Sequence, residues 1–230
     1  MRPLDEVNHR PFDHAAPDLT ACDREPIHIP GSIQPHGVLL VVERNSLSLA
    51  YAAGPVEAAL GRDDWQGASL GAVLGDPLAG RIARLADSTA TGAYIAPWTG
   101  PDGRCWDVAA HPGADHLLVE LEPCAAEAPP AAVVLGSLEA AGRAFERASS
   151  LRGLCERAAE EFARITGYDR VMIYRFLDDE AGVVVAEHVA DGMDAFLHHH
   201  FPSSDIPKQA RALYVRNLVR VIPDVAYVPA

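Results

Sequence analysis

Cys22, in the stretch ACDREPIHIPGSIQPHG, is the first residue whose surroundings point to covalent chemistry. It stands among charged residues and prolines rather than in an apolar run, so its thiol is expected to reach solvent, where a thiolate is a soft nucleophile. Arg24 and His28 favour the thiolate while Asp23 and Glu25 oppose it, so a reactive cysteine and an ordinary surface thiol both stand. A second candidate is FPSSDIP, residues 201–207, in which Asp205 directly precedes a helical pattern. It reads either as a plain helix start or as a loop offering a carboxylate and a backbone carbonyl to a ligand. Pro207 biases Ile206 toward an extended backbone, which keeps carbonyls there out of a helix.

Three further groups are of interest. His198, His199 and His200 are consecutive, and neighbours in sequence do not converge on one ion as ligands from separated positions do, so no metal site is expected and one histidine lining a pocket is the better reading. Tyr214, Arg216 and Arg220 run along and just past the last helical pattern; guanidinium forks and a tyrosine hydroxyl suit carboxylates, and a solvated helix face is the alternative. Residues 168–176 alternate, which sets Met172, Tyr174 and Phe176 on one face of a strand and Val171 and Ile173 on the other. Such an aromatic face is either core or the wall of a site for a planar ligand.

The elements that must carry these groups fall on two sides of PCAAEAPP, a proline-bracketed stretch without periodicity that reads as a linker. Before it, strands are expected at 37–43, 47–53, 93–99, 104–110 and 116–122, with short helices at 55–60 and 76–87. After it come helices at 134–148 and 151–165, strands at 170–176 and 183–189, an irregular segment over 191–207 and a helix from Lys208 to about Leu218. The second helix has one apolar face made by Leu151, Leu154, Cys155, Ala158, Phe162 and Ile165, with Gly167 at its C-cap. The fold class is α+β: an antiparallel sheet with small helices, followed by a second α+β domain. The expected boundaries are 1–123, a linker at 124–132, and 133–230.

Composition narrows the function. The net charge of 19 − 32 = −13 argues against a nucleic-acid track and against an anionic membrane surface as partners. No signal peptide and no apolar run of spanning length is visible, so a cytoplasmic protein is expected. The four cysteines form no CxxC pair and are expected to be reduced, with Cys105 and Cys155 packed on strand and helix faces. A phosphate-binding GxxxxGK[ST] loop, a GxSxG elbow, HExxH and a helix-opening GxGxxG are all missing, so an enzyme is not expected.

Taken together, two stretches resemble one family. Residues 22–43, CDREPIHIPGSIQPHGVLLVVE, resemble the start of bacterial phytochromes, and residues 168–217, from YDRVMIYRF to HHHFPSSDIPKQARALYVRN, resemble the chromophore-binding half of their second domain. The resemblance implies an N-terminal PAS domain and a GAF domain incomplete at its C-terminal end, with Ile33 on the strand that threads a figure-of-eight knot in the full-length family. It implies that Cys22 forms a thioether with the ring A vinyl group of biliverdin IXα. A cysteine at this place marks the biliverdin class, whereas plant and cyanobacterial phytochromes attach their bilin through a later one. By the same resemblance the Asp205 backbone carbonyl accepts from the pyrrole N–H groups, and its carboxylate sits near ring D. Ile206 and Pro207 pack on the tetrapyrrole plane; Tyr174, His199 and Phe201 surround ring D, with Met172 on the same wall. Tyr214 and Arg220 hold a propionate, with Arg216 a weaker candidate.

A red/far-red photoreceptor is thereby implied, with 15Z/15E isomerisation as its light reaction. Its partners would be a second copy through GAF helices and a PHY and kinase or other output module beyond this chain. The polypeptide alone is expected to fold its first half and to bind biliverdin poorly. The competing reading is a PAS–GAF sensor of another small molecule, or a dimerisation fragment with no chromophore.

Overall fold

In Val38–Glu43 (β1), Val38, Leu40 and Val42 are buried and the residues between them half-buried, the period-two pattern of a strand with one face on a core. The computed structural model describes residues 27–29, 31–86, 91–125, 129–217 and 219–229. These fall into two units, one of residues 29–143 with 219–229 and one of 144–217 with 27–28. The chain is α+β, with antiparallel sheets in both units.

In the first unit β1 is followed by β2 (Leu49–Ala53), three short helices, α1 (Val56–Leu60), α2 (Leu70–Leu74) and α3 (Asp76–Ala86), and three strands, β3 (Ala93–Thr99), β4 (Cys105–Pro112) and β5 (His116–Pro123). The sheet order is β2-β1-β5-β4-β3, with every neighbouring pair antiparallel. One face carries Leu40, Val42, Trp106, Val108, Leu117, Val119 and Leu121 into a core closed by Leu70 of α2 and Ile82 of α3. Helix α2 is a further element, too short to show a period; Ser69 caps it, its hydroxyl accepting from the Ala72 N–H at 3.2 Å. Within the same unit Gln34 Nε2 donates to the Val221 carbonyl at 2.7 Å, tying the segment before β1 to the chain beyond residue 218.

The expectation of reduced, packed thiols is corrected at Cys105, which is exposed and disulfide-bonded to Cys124. The β4–β5 ladder is the reason. Trp106 pairs with Pro123, so the next positions outward are Cys105 and Cys124, whose Cα atoms lie 5.3 Å apart, within bridging range. Cys155 is free and half-buried.

The chain continues through α4 (Ala131–Glu146) into the second unit, which consists of α5 (Leu151–Thr166), β6 (Arg170–Phe176), β7 (Gly182–Val189), β8 (His200–Phe201), a 3-10 turn at Ser203–Asp205 and α6 (Lys208–Arg216). Ser150 caps α5 by accepting from the Gly153 N–H, and Gly167, at φ 71°, ends it in the left-handed conformation that glycine adopts without strain. Helix α5 packs on β6 and β7 through Ala159 and Ala163, so the expected apolar face is rotated. Small residues let the helix approach the sheet closely, while Leu151 stays 73% and Phe162 51% exposed. The three-stranded sheet runs β6-β7-β8. Among the described residues no helix is long and apolar enough to cross a membrane.

Candidate functional site

Strand β6 presents Met172, Tyr174 and Phe176 on one face, as their alternation requires. With Phe201 from β8, Asp205 and Ile206 from the turn after it, and Tyr214 from α6, they line a cavity of about 460 Å³. Aromatic contacts organise its wall: Tyr174 meets Phe176 edge-on at 5.4 Å and Phe201 with tilted rings at 6.0 Å between ring centroids. The Tyr174 ring lies across Gly182, the cross-strand partner of Phe176, in space that a Cβ there would fill.

The turn carrying Asp205 is held from behind. The Asp205 N–H donates to the Pro202 carbonyl at 3.1 Å, and Ile206 is extended with φ −128° and ψ 101°. Arg211 Nη1 donates to the carbonyls of Ser203 and Glu180 at 3.3 and 3.2 Å, and its Nη2 to Glu180 Oε2 at 3.1 Å. Partial burial raises the Tyr174 phenol pKa above its ordinary value, and the Asp205 carboxylate adds to this against the opposing charge of Arg211. The hydroxyl therefore keeps its proton. The cavity thus joins a largely apolar, aromatic wall to a few polar groups, the composition of a site for a flat conjugated molecule with a polar edge.

Met172, Tyr174, Phe201, Asp205, Ile206 and Tyr214 are brought together in this cavity, as the sequence reading groups them. Pro207 stands at the start of α6, where its carbonyl accepts from the Arg211 N–H, and is outside the lining. None of the three histidines lines the cavity. The chain reverses at His198, with φ 66°, and the His199 ring meets Phe196 edge-on at 5.6 Å. Among the described residues no cluster of three His, Cys, Asp or Glu could hold a metal. Arg216 is exposed at the end of α6, and Arg220 is exposed in the segment grouped with the other unit. Cys22 lies outside the described residues. Phe176 stands on the aromatic face that the alternation sets out, though the resemblance gives it no role. The contributor that the sequence did not signal is Arg211, which acts through Glu180, 31 positions away, a contact that no local pattern marks.

A family model described as a PAS fold matches residues 22–124. A bacteriophytochrome of Pseudomonas aeruginosa is 34% identical over 217 residues, covering 92% of this chain and 29% of its own length. The chain thus spans about three-tenths of the length of the curated relatives it matches. Among solved structures, the chromophore-binding domain of a Stigmatella aurantiaca phytochrome is 39% identical with a TM-score of 0.78, covering 90% of this chain and 71% of that one. The chromophore-binding domain of a bacteriophytochrome from R. palustris is 38% identical with a TM-score of 0.81, covering 91% and 69%. With relatives of this identity matched over most of both chains, and with a cavity built from the phytochrome-like second stretch, the chain belongs to the bacteriophytochrome family.

Proposed function

We propose that this chain is the chromophore-holding part of a red/far-red light receptor and that its pigment is biliverdin IXα. The observation that carries the reading is the cavity itself, in which Asp205 and Ile206 face Met172, Tyr174, Phe176 and Phe201. Bound biliverdin would supply the visible absorption and the 15Z/15E rotation. The chain's own residues hold and shape it. The Cys22 thiol adds across the ring A vinyl group, sulfur to one carbon and the proton to the other, so neither oxidant nor leaving group is needed. The Asp205 carbonyl accepts from the pyrrole N–H groups and Ile206 packs on the plane, with Pro207 keeping Ile206 extended from outside the lining. Tyr174 and Phe201, with Met172 beside them, enclose ring D, and His199 acts on this wall from behind through Phe196. Tyr214 and Arg220 serve one propionate, with Arg216 the weaker candidate, since a guanidinium fork matches a carboxylate.

The same reading places a PAS domain before the linker and a GAF domain after it, with Ile33 on the threading strand of a knot. Signal passes to an output module such as a histidine kinase, and the receptor region itself carries no catalysis. A second copy pairs through α4 and α5, which expose Leu135, Leu138, Leu151 and Phe162. Illumination tests the reading. After biliverdin is added to this chain and to a longer version continuing through the rest of the family's photosensory region, red light should bleach a red band and far-red light restore it. A stable pigment band indifferent to light would favour a sensor of another ligand.

A further inference from the structure

Arg170 and Glu187 pair at 2.5 Å, with the Glu187 side chain only 2% exposed and that of Arg170 18%. Met172 is the cross-strand partner of Glu187, and Arg170 precedes Met172 by two residues, so the pair shares the sheet face that forms the cavity wall. Glu187 Oε2 accepts from the backbone N–H groups of Phe196 and Leu197 at 2.7 and 2.9 Å. Arg170 Nη2 donates to the Asp194 carbonyl at 2.7 Å, and its guanidinium lies 4.2 Å from the centre of the Phe196 ring. That ring meets His199 at 5.6 Å and Phe201 at 6.3 Å, edge-on in both cases.

A buried ion pair is a weak device for stability alone, because a well-packed apolar pair would join the two strands as well. What these groups add is direction, since the bonds besides their own all end on residues 194–197. We propose that Arg170 and Glu187 are positioning residues for the cavity. They fix Phe196, and Phe196 sets the orientation of Phe201 and His199. Resting on the biliverdin reading, this makes the pair a determinant of the colour and photoconversion of a pigment that it does not touch.

The test compares the wild-type protein, continued through the rest of the family's photosensory region, with its Glu187→Gln, Phe196→Leu and Arg170→Lys variants. Biliverdin uptake, the red band and photoconversion are measured, together with amide exchange at residues 196 and 197 and the ring NMR signals of Tyr174 and Phe201 without pigment. In Glu187→Gln those amides should exchange about tenfold faster, as a charge-assisted bond gives way to a neutral one. The Phe201 ring signals and the red band should move, with pigment uptake unchanged. Phe196→Leu removes only the ring, so the band and the ring signals should move while the amides stay protected. Arg170→Lys keeps the charge and should fall between wild type and Glu187→Gln. The proposal is overturned if Phe196→Leu leaves the band, the photoconversion and the Phe201 ring signals at wild-type values, even where Glu187→Gln unfolds. A wild-type protein that takes up no pigment counts against the biliverdin reading alone. The Phe201 ring signals in Phe196→Leu then decide, shifted ones sustaining the positioning role and unshifted ones overturning it.

Discussion

Tyr174 and Gly182 show how closely single residues define the cavity. The phenol crosses the glycine where any side chain would collide with it, so Gly182→Ala must push the ring from the wall. Overpacking of this kind costs about 1–3 kcal/mol, to be read as a lower melting temperature together with a displaced pigment band. The raised phenol pKa gives a pH prediction whose sign follows from proton binding. Above the ordinary tyrosine range of about 10, the unfolded chain releases this proton while the folded chain keeps it. The Tyr174 contribution therefore holds below that range and declines as pH rises through it. Tyr174→Phe should remove a late-titrating phenolate absorbance and flatten that part of the stability profile. Loss of an early-titrating signal instead would contradict the assignment.

At the scale of elements, strands β3 and β6 occupy the expected residues to the last position, each bounded by residues that favour turns. The aromatic wall was legible from the alternation over residues 168–176. What the sequence hid depends on contacts between distant positions. Strand β8 is two residues long and exists only because Phe201 and His200 pair with Gly182 and Val183. The rotation of α5 onto Ala159 and Ala163 follows from closeness of approach rather than from apolar count. The Cys105–Cys124 bridge closes over 19 positions through ladder register and has no spacing motif. Closing a loop of this length stabilises by about 3 kcal/mol, so replacing both cysteines with serine should lower stability under oxidising conditions and change little under a reducing dithiol. Equal losses under both conditions would mean that packing, not the cross-link, is at stake. Removing the cap of α5 with Ser150→Ala should cost about 1 kcal/mol, read from denaturant unfolding.

Across the whole molecule, the large apolar side chains left on the helices are the feature most in need of a partner. Leu135 and Leu138 on α4 and Leu151 and Phe162 on α5 are more than half exposed, and large apolar side chains left in water in this number favour association. Sedimentation should show a dimer that Leu138→Asp together with Phe162→Glu converts to a monomer; a monomeric wild type would contradict the pairing. The acidic net charge of −13 is compatible with such pairing only through an apolar seam. In the proposed receptor, the chain holds biliverdin IXα through Cys22 against the Asp205 turn. This is tested most directly by adding biliverdin to wild-type and Cys22→Ala versions of a longer protein that continues through the rest of the family's photosensory region, denaturing both, and measuring protein mass and zinc-induced fluorescence on a gel. The account predicts that the wild type retains the mass and fluorescence of one bilin and that Cys22→Ala loses both. Free protein in both lanes, with no red band before denaturation, would contradict it.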